Sequence, residues 1–181
     1  MTYVLTAAEL DLSVGSTFGL CSMTMALLTQ DMGIDLWFSL FIALGLGALI
    51  GLINGLLTTV GRIPSFIVTL GMLSVLRGIT LVLSAWPVSR LAHPTFYNVL
   101  AGEIAGVPVQ LLWMLAIVII GAMALQHTKF GYHVRATGSN RAAAELAGVD
   151  VKRVKVMTFI LVGVAAAFAG ALSFAHLKSV A

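Results

Sequence analysis

"LWFSLFIALGLGALIGLINGLLTTV", residues 36–60, carries no charged side chain from its first position to its last. A helix needs about 20 predominantly apolar residues to cross a bilayer, and this segment exceeds that length. Lipid cannot hydrogen-bond the backbone, so a segment committed to the bilayer must satisfy its own N–H and C=O groups as a helix. Gly47, Gly51 and Gly55 recur every four residues along it. Such spacing gives the helix a stripe without side chains, where another backbone can approach closely.

Outward from this segment the same pattern recurs. Leu10–Thr29, Pro64–Ser84, Val107–Gln126 and Val156–Ala175 are also long and apolar enough to span. The whole chain of 181 residues is 60% hydrophobic and 9% charged, with a mean hydropathy of +1.06, beyond what a solvated globular surface tolerates. The expected fold is all-α, a polytopic transmembrane bundle of about five spans. No Pro/Gly-rich linker, strict repeat or polar domain interrupts it, so residues 1–181 are read as one transmembrane domain. Gly15 and Gly19, and Gly163 with Ala167 and Ala171, repeat the small-residue spacing and predict tight packing.

Charge sets the sidedness. Arg62, Lys129, Arg135, Arg141, Lys152, Arg153 and Lys155 fall in two connections that five spans place on one face, whereas the other face receives Arg90 and Lys178. Basic residues accumulate on the cytoplasmic side, so the long 127–155 connection is predicted to be cytoplasmic, with Asp31, Asp35 and the 85–106 loop outside. The net charge of +3 therefore reflects membrane orientation and carries no nucleic-acid reading. Residues 1–9 hold no Lys or Arg, which argues against a cleaved signal peptide. Cys21, the only cysteine, lies in an apolar run and suits packing.

Polar groups at membrane depth are costly and usually face the bundle interior or a water-filled route. "DLSVGSTFG", residues 11–19, gathers an acid, three hydroxyls and two glycines at the start of a span. Asp11, Ser13 and Ser16 suit a helix N-terminus, either as plain caps or, with Gly15, as the lining of a broken helix along a polar solute's route. Asn54 joins that lining or bonds a neighbouring helix. Arg77 sits within the apolar run 66–84, where it must snorkel outward or pair, with Asp11 or a helix-end carbonyl as candidate partners.

"RATGSNRAAAELAGVDVKR", residues 135–153, is a basic, alanine-rich island. Ser139 or Asn140 is placed to cap a short helix over 141–147, Gly148 to close it, and Asp150 to start the next one. Helices below about 12–15 residues are marginal alone in water, so this one must dock. Its small-residue surface lacks the bulky apolar and aromatic anchors of lipid docking and fits a protein groove better.

These segments resemble a known family. "DLSVGS" (11–16), "GLINGLLTTVGRIPSFIVTLGMLSVLRGITLVLS" (51–84) and "TKFGYHVRATGSNRAAAELAGVDVKRVK" (128–155) look like the permease subunits of bacterial ABC importers for ribose, xylose, galactose and related sugars. The resemblance implies an inner-membrane, multi-pass permease. It further implies an ABC ATPase on the cytoplasmic side, a periplasmic sugar-binding protein outside and a second permease copy completing a dimer within the lipid. The family's pattern A-x-G-x-N-x-x-A-A-x-x-x-G falls on Ala136, Gly138, Asn140, Ala143, Ala144 and Gly148, which implies that this segment is the coupling helix seated on the ATPase. Relatives carry a glycine pair before the aspartate, as in "GGIDLSVGS", where this chain has Ala8 and Glu9. The resemblance begins at an internal family motif and stops before the last spans, so an abbreviated permease or a piece of one is expected.

Catalysis has no visible machinery. There is no G-x-x-x-x-G-K-[ST] phosphate loop, no H-E-x-x-H and no G-x-S-x-G; His93, His127, His133 and His176 are scattered. No catalytic residue, metal or cofactor is therefore expected, and energy would come from a partner. The three functional readings are an ATP-driven monosaccharide importer subunit, a shortened, non-transporting membrane partner of a full-length permease, and a related importer for another small polar solute.

Overall fold

The computed structural model describes residues 1–83, 94–104 and 106–180. In chain order the helices are α1 (Thr2–Thr6), α2 (Val14–Gln30), α3 (Leu36–Thr59), α4 (Ser65–Leu83), α5 (Pro94–Ala101), α6 (Val109–His127), α7 (Lys129–Ser139), α8 (Arg141–Leu146) and α9 (Val151–Val180). A two-residue antiparallel hairpin, β1 (Glu103–Ile104) with β2 (Val107–Pro108), leads into α6. The predicted all-α bundle is what forms. Helices α3, α4, α6 and α9 are long and apolar enough to cross a membrane, and α2 supplies a shorter fifth helix of 17 residues.

α3 and α9 run antiparallel as the central pair. A Cβ on Gly51 would lie 2.3 Å from the Phe159 carbonyl oxygen, one on Gly47 2.4 Å from that of Gly163, and one on Gly163 2.1 Å from that of Gly47. The predicted glycine stripe is thus a backbone-to-backbone seam, continued by Ala167 and Ala171, both fully buried. Gly170 serves α2 in the same way, since a Cβ there would lie 2.5 Å from the Phe18 carbonyl oxygen. The expectation fails for Gly15 and Gly19: nothing lies within 4 Å of a Cβ on Gly15, and Gly19 meets only a Thr80 methyl at 3.9 Å. Spacing marks a smooth face but does not say whether a partner reaches it. Toward the end of the bundle remote from the basic connections, Met25, Leu36, Leu40, Phe96, Leu100 and Phe174 close the core around α5.

The first span begins later than predicted, at Val14 instead of Leu10, because α1 ends in a left-handed turn. Ala8 has φ 57°, its N–H bonds the Leu5 carbonyl and the Glu9 N–H bonds the Val4 carbonyl, both at 3.0 Å. This is the six-to-one closure that normally places glycine at the left-handed position. A left-handed Ala costs roughly 1–2 kcal/mol, so Ala8→Gly is expected to stabilise the chain by about 1 kcal/mol, net of the extra chain entropy of glycine. A higher midpoint of thermal unfolding in detergent would register it, and an unchanged or lower midpoint would contradict the strain.

The 127–155 connection holds more helix than expected. α6 breaks at Thr128, whose hydroxyl accepts from the Gly131 N–H at 3.1 Å, and α7 follows at once. The short predicted helix is α8, capped by Asn140, whose Oδ1 accepts from the Ala143 N–H at 3.0 Å. Gly148 closes that turn with φ 82°, and Asp150 caps α9 by accepting from the Arg153 N–H at 3.0 Å. Pro64 stands one position outside α4, its carbonyl accepting from Val68 at 3.2 Å. Ser84, residues 85–93 of the 85–106 loop with Arg90 among them, and residue 105 lie outside the described residues, as does the side chain of Lys178.

Candidate functional site

The connection between α7 and α9 meets the α3–α4 connection at one end of the bundle, where Arg62, Arg141, Lys152 and Lys155 share a cavity. This basic end also holds the N-terminal segment. α1 packs against α7 and α9: Ala7 is buried with Val134 and Val154, and the Tyr3 hydroxyl donates to the Gly121 carbonyl at 2.7 Å. Glu9 forms an ion pair with Lys155, and both side chains are largely buried. Nothing in local sequence joins these two, but an acid beside an apolar run needs a cation, and Lys155 is the basic residue nearest the last span.

Residues 10–13, between α1 and α2, are tied down by side chains. The Leu10 N–H donates to Ser65 Oγ at 3.1 Å, and Thr69 Oγ1 donates to the Leu10 carbonyl at 3.4 Å. Asp11 Oδ1 accepts from the Ser13 N–H at 2.9 Å and from Ser13 Oγ at 2.6 Å, and Ser13 Oγ in turn accepts from Asn54 Nδ2 at 2.9 Å. Asp11, Ser13 and Asn54 are all buried. The Asp11–Ser13–Asn54 chain therefore locks the start of α2 onto α3, while Ser65 and Thr69 hold it to α4. Asn54 Oδ1 is buried without a partner among the described residues, an arrangement that costs about 1–3 kcal/mol unless something binds there.

The six residues expected to line a solute route are thus divided. Asp11, Ser13 and Asn54 form one network. Ser16 lies nearby but donates to the Leu73 carbonyl of α4 at 3.0 Å, and Ser13 makes no side-chain cap on α2, so neither serves the free N–H groups as expected. Gly15 and Arg77 are exposed. Asp11 is not the partner of Arg77, since its carboxylate is engaged by Ser13, and Arg77 has no ion pair among the described residues.

The six residues expected to couple to an ATPase, Ala136, Gly138, Asn140, Ala143, Ala144 and Gly148, divide as well. A Cβ on Gly138 would lie 1.8 Å from the Thr6 carbonyl oxygen, so Gly138 is an internal contact and not a surface one. Ala136 is partly covered and Ala144 is buried, whereas Asn140, Ala143 and Gly148 are exposed. Leu146, which composition alone did not single out, is 91% exposed at the tip of α8. A leucine closing a short helix of small residues at a polar end was the available signal, because such a side chain is normally covered. Among the described residues no group of three or more His, Cys, Asp or Glu side chains could hold a metal ion.

The family described as branched-chain amino acid transport system / permease component matches residues 1–181. The ribose import permease protein of Escherichia coli (strain K12) is 34% identical over 186 residues, covering 99% of this chain and 57% of its own length. An autoinducer 2 import system permease protein of Enterobacter sp. (strain 638) is 37% identical over 170 residues, covering 92% of this chain and 48% of its own. The D-allose transport system permease protein of Escherichia coli (strain K12) is 33% identical over 176 residues, covering 97% and 54%. The chain spans about half the length of these curated relatives. No solved structure gives a significant match.

Proposed function

This chain belongs to the branched-chain amino acid transport system / permease component family, a multi-pass protein of the inner membrane, and on that premise we propose that it is the membrane part of an ATP-driven importer for a monosaccharide. Residues 1–181 act as one permease domain with the 127–155 segment in the cytoplasm, as the positive charges of that end favour. Two of the relatives described above are named for ribose and D-allose, which supports a sugar over an amino acid as solute. The partners are an ABC ATPase at the basic end, a substrate-binding protein at the opposite face and a second permease copy. The exposed apolar flanks of α4 and α6 suit lipid and that copy.

The observation that carries this reading is the mechanical continuity from α8 to the buried polar network. α8 leaves Leu146 uncovered for a partner, and its N-cap Asn140 is also the C-cap of α7. α7 abuts the end of α1 where Gly138 meets Thr6. A few residues on, Glu9 is paired with Lys155 of α9 and Ser13 with Asn54 of α3. A push delivered at α8 by ATP hydrolysis on the partner thereby reaches α2, α3 and α9 together. We assign Asp11, Ser13 and Asn54 to the mouth of the solute path, where opening of the network exposes their hydroxyl, carboxylate and amide to sugar hydroxyls. Ser16, Gly15 and Arg77 complete that path on the α4 side.

Uptake of radiolabelled ribose by cells expressing the chain with its ATPase and binding protein tests the proposal. Gly138→Ala forces α7 away from Thr6 and is expected to lower uptake by roughly tenfold or more through lost coupling, while the ATPase still co-purifies through α8. Uptake equal with and without the chain would favour the non-transporting partner. Undiminished uptake in the variant would break the proposed linkage.

A further inference from the structure

The cavity at the basic end has a volume of about 380 Å³ and is lined by Glu9, Thr58, Arg62, Arg141, Lys152 and Lys155, among others. Four cations thus face one carboxylate, and that carboxylate is already committed to Lys155. Arg141 is held by Glu145 at 2.9 Å on the outer side of α8. Arg62 and Lys152 have no hydrogen-bond or ion-pair partner among the described residues.

Two further features point the same way. α4 and α9 begin at this cavity, through Ser65 and Val151, against the single C-terminus of α3; the α9 start is already capped by Asp150, so the α4 start is the positive dipole end left to the cavity. Thr58 is one of the lining residues, and its hydroxyl oxygen is buried without a partner among the described residues. A hydroxyl without a partner, a helix start and uncompensated cations are the complement of an oxyanion with several acceptor oxygens. Ile63 lines the cavity and is exposed, and the exposed Leu57 and Phe66 adjoin its lining residues Thr58 and Ser65 in the chain, so apolar surface suited to lipid lies beside the cations.

We infer that this cavity is a binding site for a phosphate-bearing anion, supplied either by an anionic phospholipid headgroup or by free phosphate. Lys152 and Arg62 make the contacts, with Thr58 as hydroxyl donor, and Lys155 stays with Glu9. Basic pockets at the cytoplasmic ends of spanning helices recognise lipid phosphates by this chemistry. The site requires only that the chain be embedded in a membrane and is independent of the proposed transport activity.

The full chain is reconstituted in phosphatidylcholine nanodiscs, and its thermal midpoint is followed in two arms at constant ionic strength. One arm replaces part of the lipid with phosphatidylglycerol; the other adds inorganic phosphate in place of chloride. Saturable stabilisation is expected, growing with ligand as mass action requires. The Arg62→Asn/Lys152→Gln double variant keeps a side chain suited to the left-handed backbone at position 62, φ 55°. It is expected to bind about tenfold more weakly, having lost two charge-assisted contacts. The Lys129→Gln/Arg153→Gln variant removes the same charge from the basic end outside the cavity and is expected to bind as the unaltered chain does. Stabilisation by phosphatidylglycerol alone identifies a lipid headgroup, and stabilisation by phosphate as well identifies a free anion as sufficient. Equal losses in the two double variants, or no stabilisation of the unaltered chain in either arm, would overturn the site.

Discussion

Leu146→Asp is expected to weaken capture of the proposed ATPase partner by roughly thirtyfold or more while leaving the chain folded. Leu146 is 91% exposed and closes α8, a helix of six residues held to the bundle by buried Ala144 and by its two caps, Asn140 and Gly148. None of these supports touches the Leu146 side chain, so an aspartate there alters the surface and not the helix. An apolar side chain standing free on a polar end gains most by entering a partner's pocket, and truncating or charging such an anchor typically costs about 2 kcal/mol or more of binding, roughly thirtyfold in affinity. Co-purification and a measured dissociation constant for the ATPase, with thermal unfolding of the permease alongside, read both halves. Retained affinity would mean that the partner is held elsewhere, and a lowered unfolding midpoint would mean that Leu146 supports the fold after all.

Gly51→Val is expected to be the most damaging change to stability. Its first added carbon would sit 2.3 Å from the Phe159 carbonyl oxygen and 2.8 Å from the Ile160 Cα, positions no side-chain rearrangement can relieve because the obstacles are backbone. α3 and α9 must separate along the seam, and in lipid no hydrophobic drive restores what close packing supplied. Overpacking alone costs about 1–3 kcal/mol; with a rigid obstacle the upper end or beyond is expected, against a total of roughly 5–15 kcal/mol for a typical protein. Gly45→Val is the control. It lies on the same helix, is exposed and has nothing within 4 Å of an added Cβ, so its unfolding midpoint should stay within error of the parent. Equal behaviour of the two variants would refute the seam.

Much of the fold was legible because lipid acts on each segment separately. The unbroken apolar run at 36–60 and its counterparts gave the spanning helices, and Asn140, Gly148 and Asp150 gave the turns around α8 through local capping chemistry. α7 escaped notice since its residues, including Gly131, Thr137 and Gly138, are poor helix formers. Contacts with α1 and α9 hold it helical instead. The late start of α2 was hidden in the same way: Ala8 is a good helix former that the packed N-terminal segment forces into the left-handed region.

The candidate site was legible as composition and not as geometry. Asp11, Ser13 and Asn54 stand out as polar groups in apolar surroundings, but Ser13 and Asn54 are 41 positions apart, and their hydrogen bond exists only once α2 and α3 are packed. The same holds for Gly138 against Thr6 and for Glu9 with Lys155, 146 positions apart. The sequence by itself marked the long apolar helices, the basic connections and where the short helix turns, because transfer into lipid, charge placement and capping depend on a residue and its near neighbours. Only the tertiary structure decided which glycine stripe became a seam, which polar groups found one another and which face of the 135–153 segment stayed free. Those outcomes turn on distances between segments remote in the chain, and packing at van der Waals range sets them to within a fraction of an ångström.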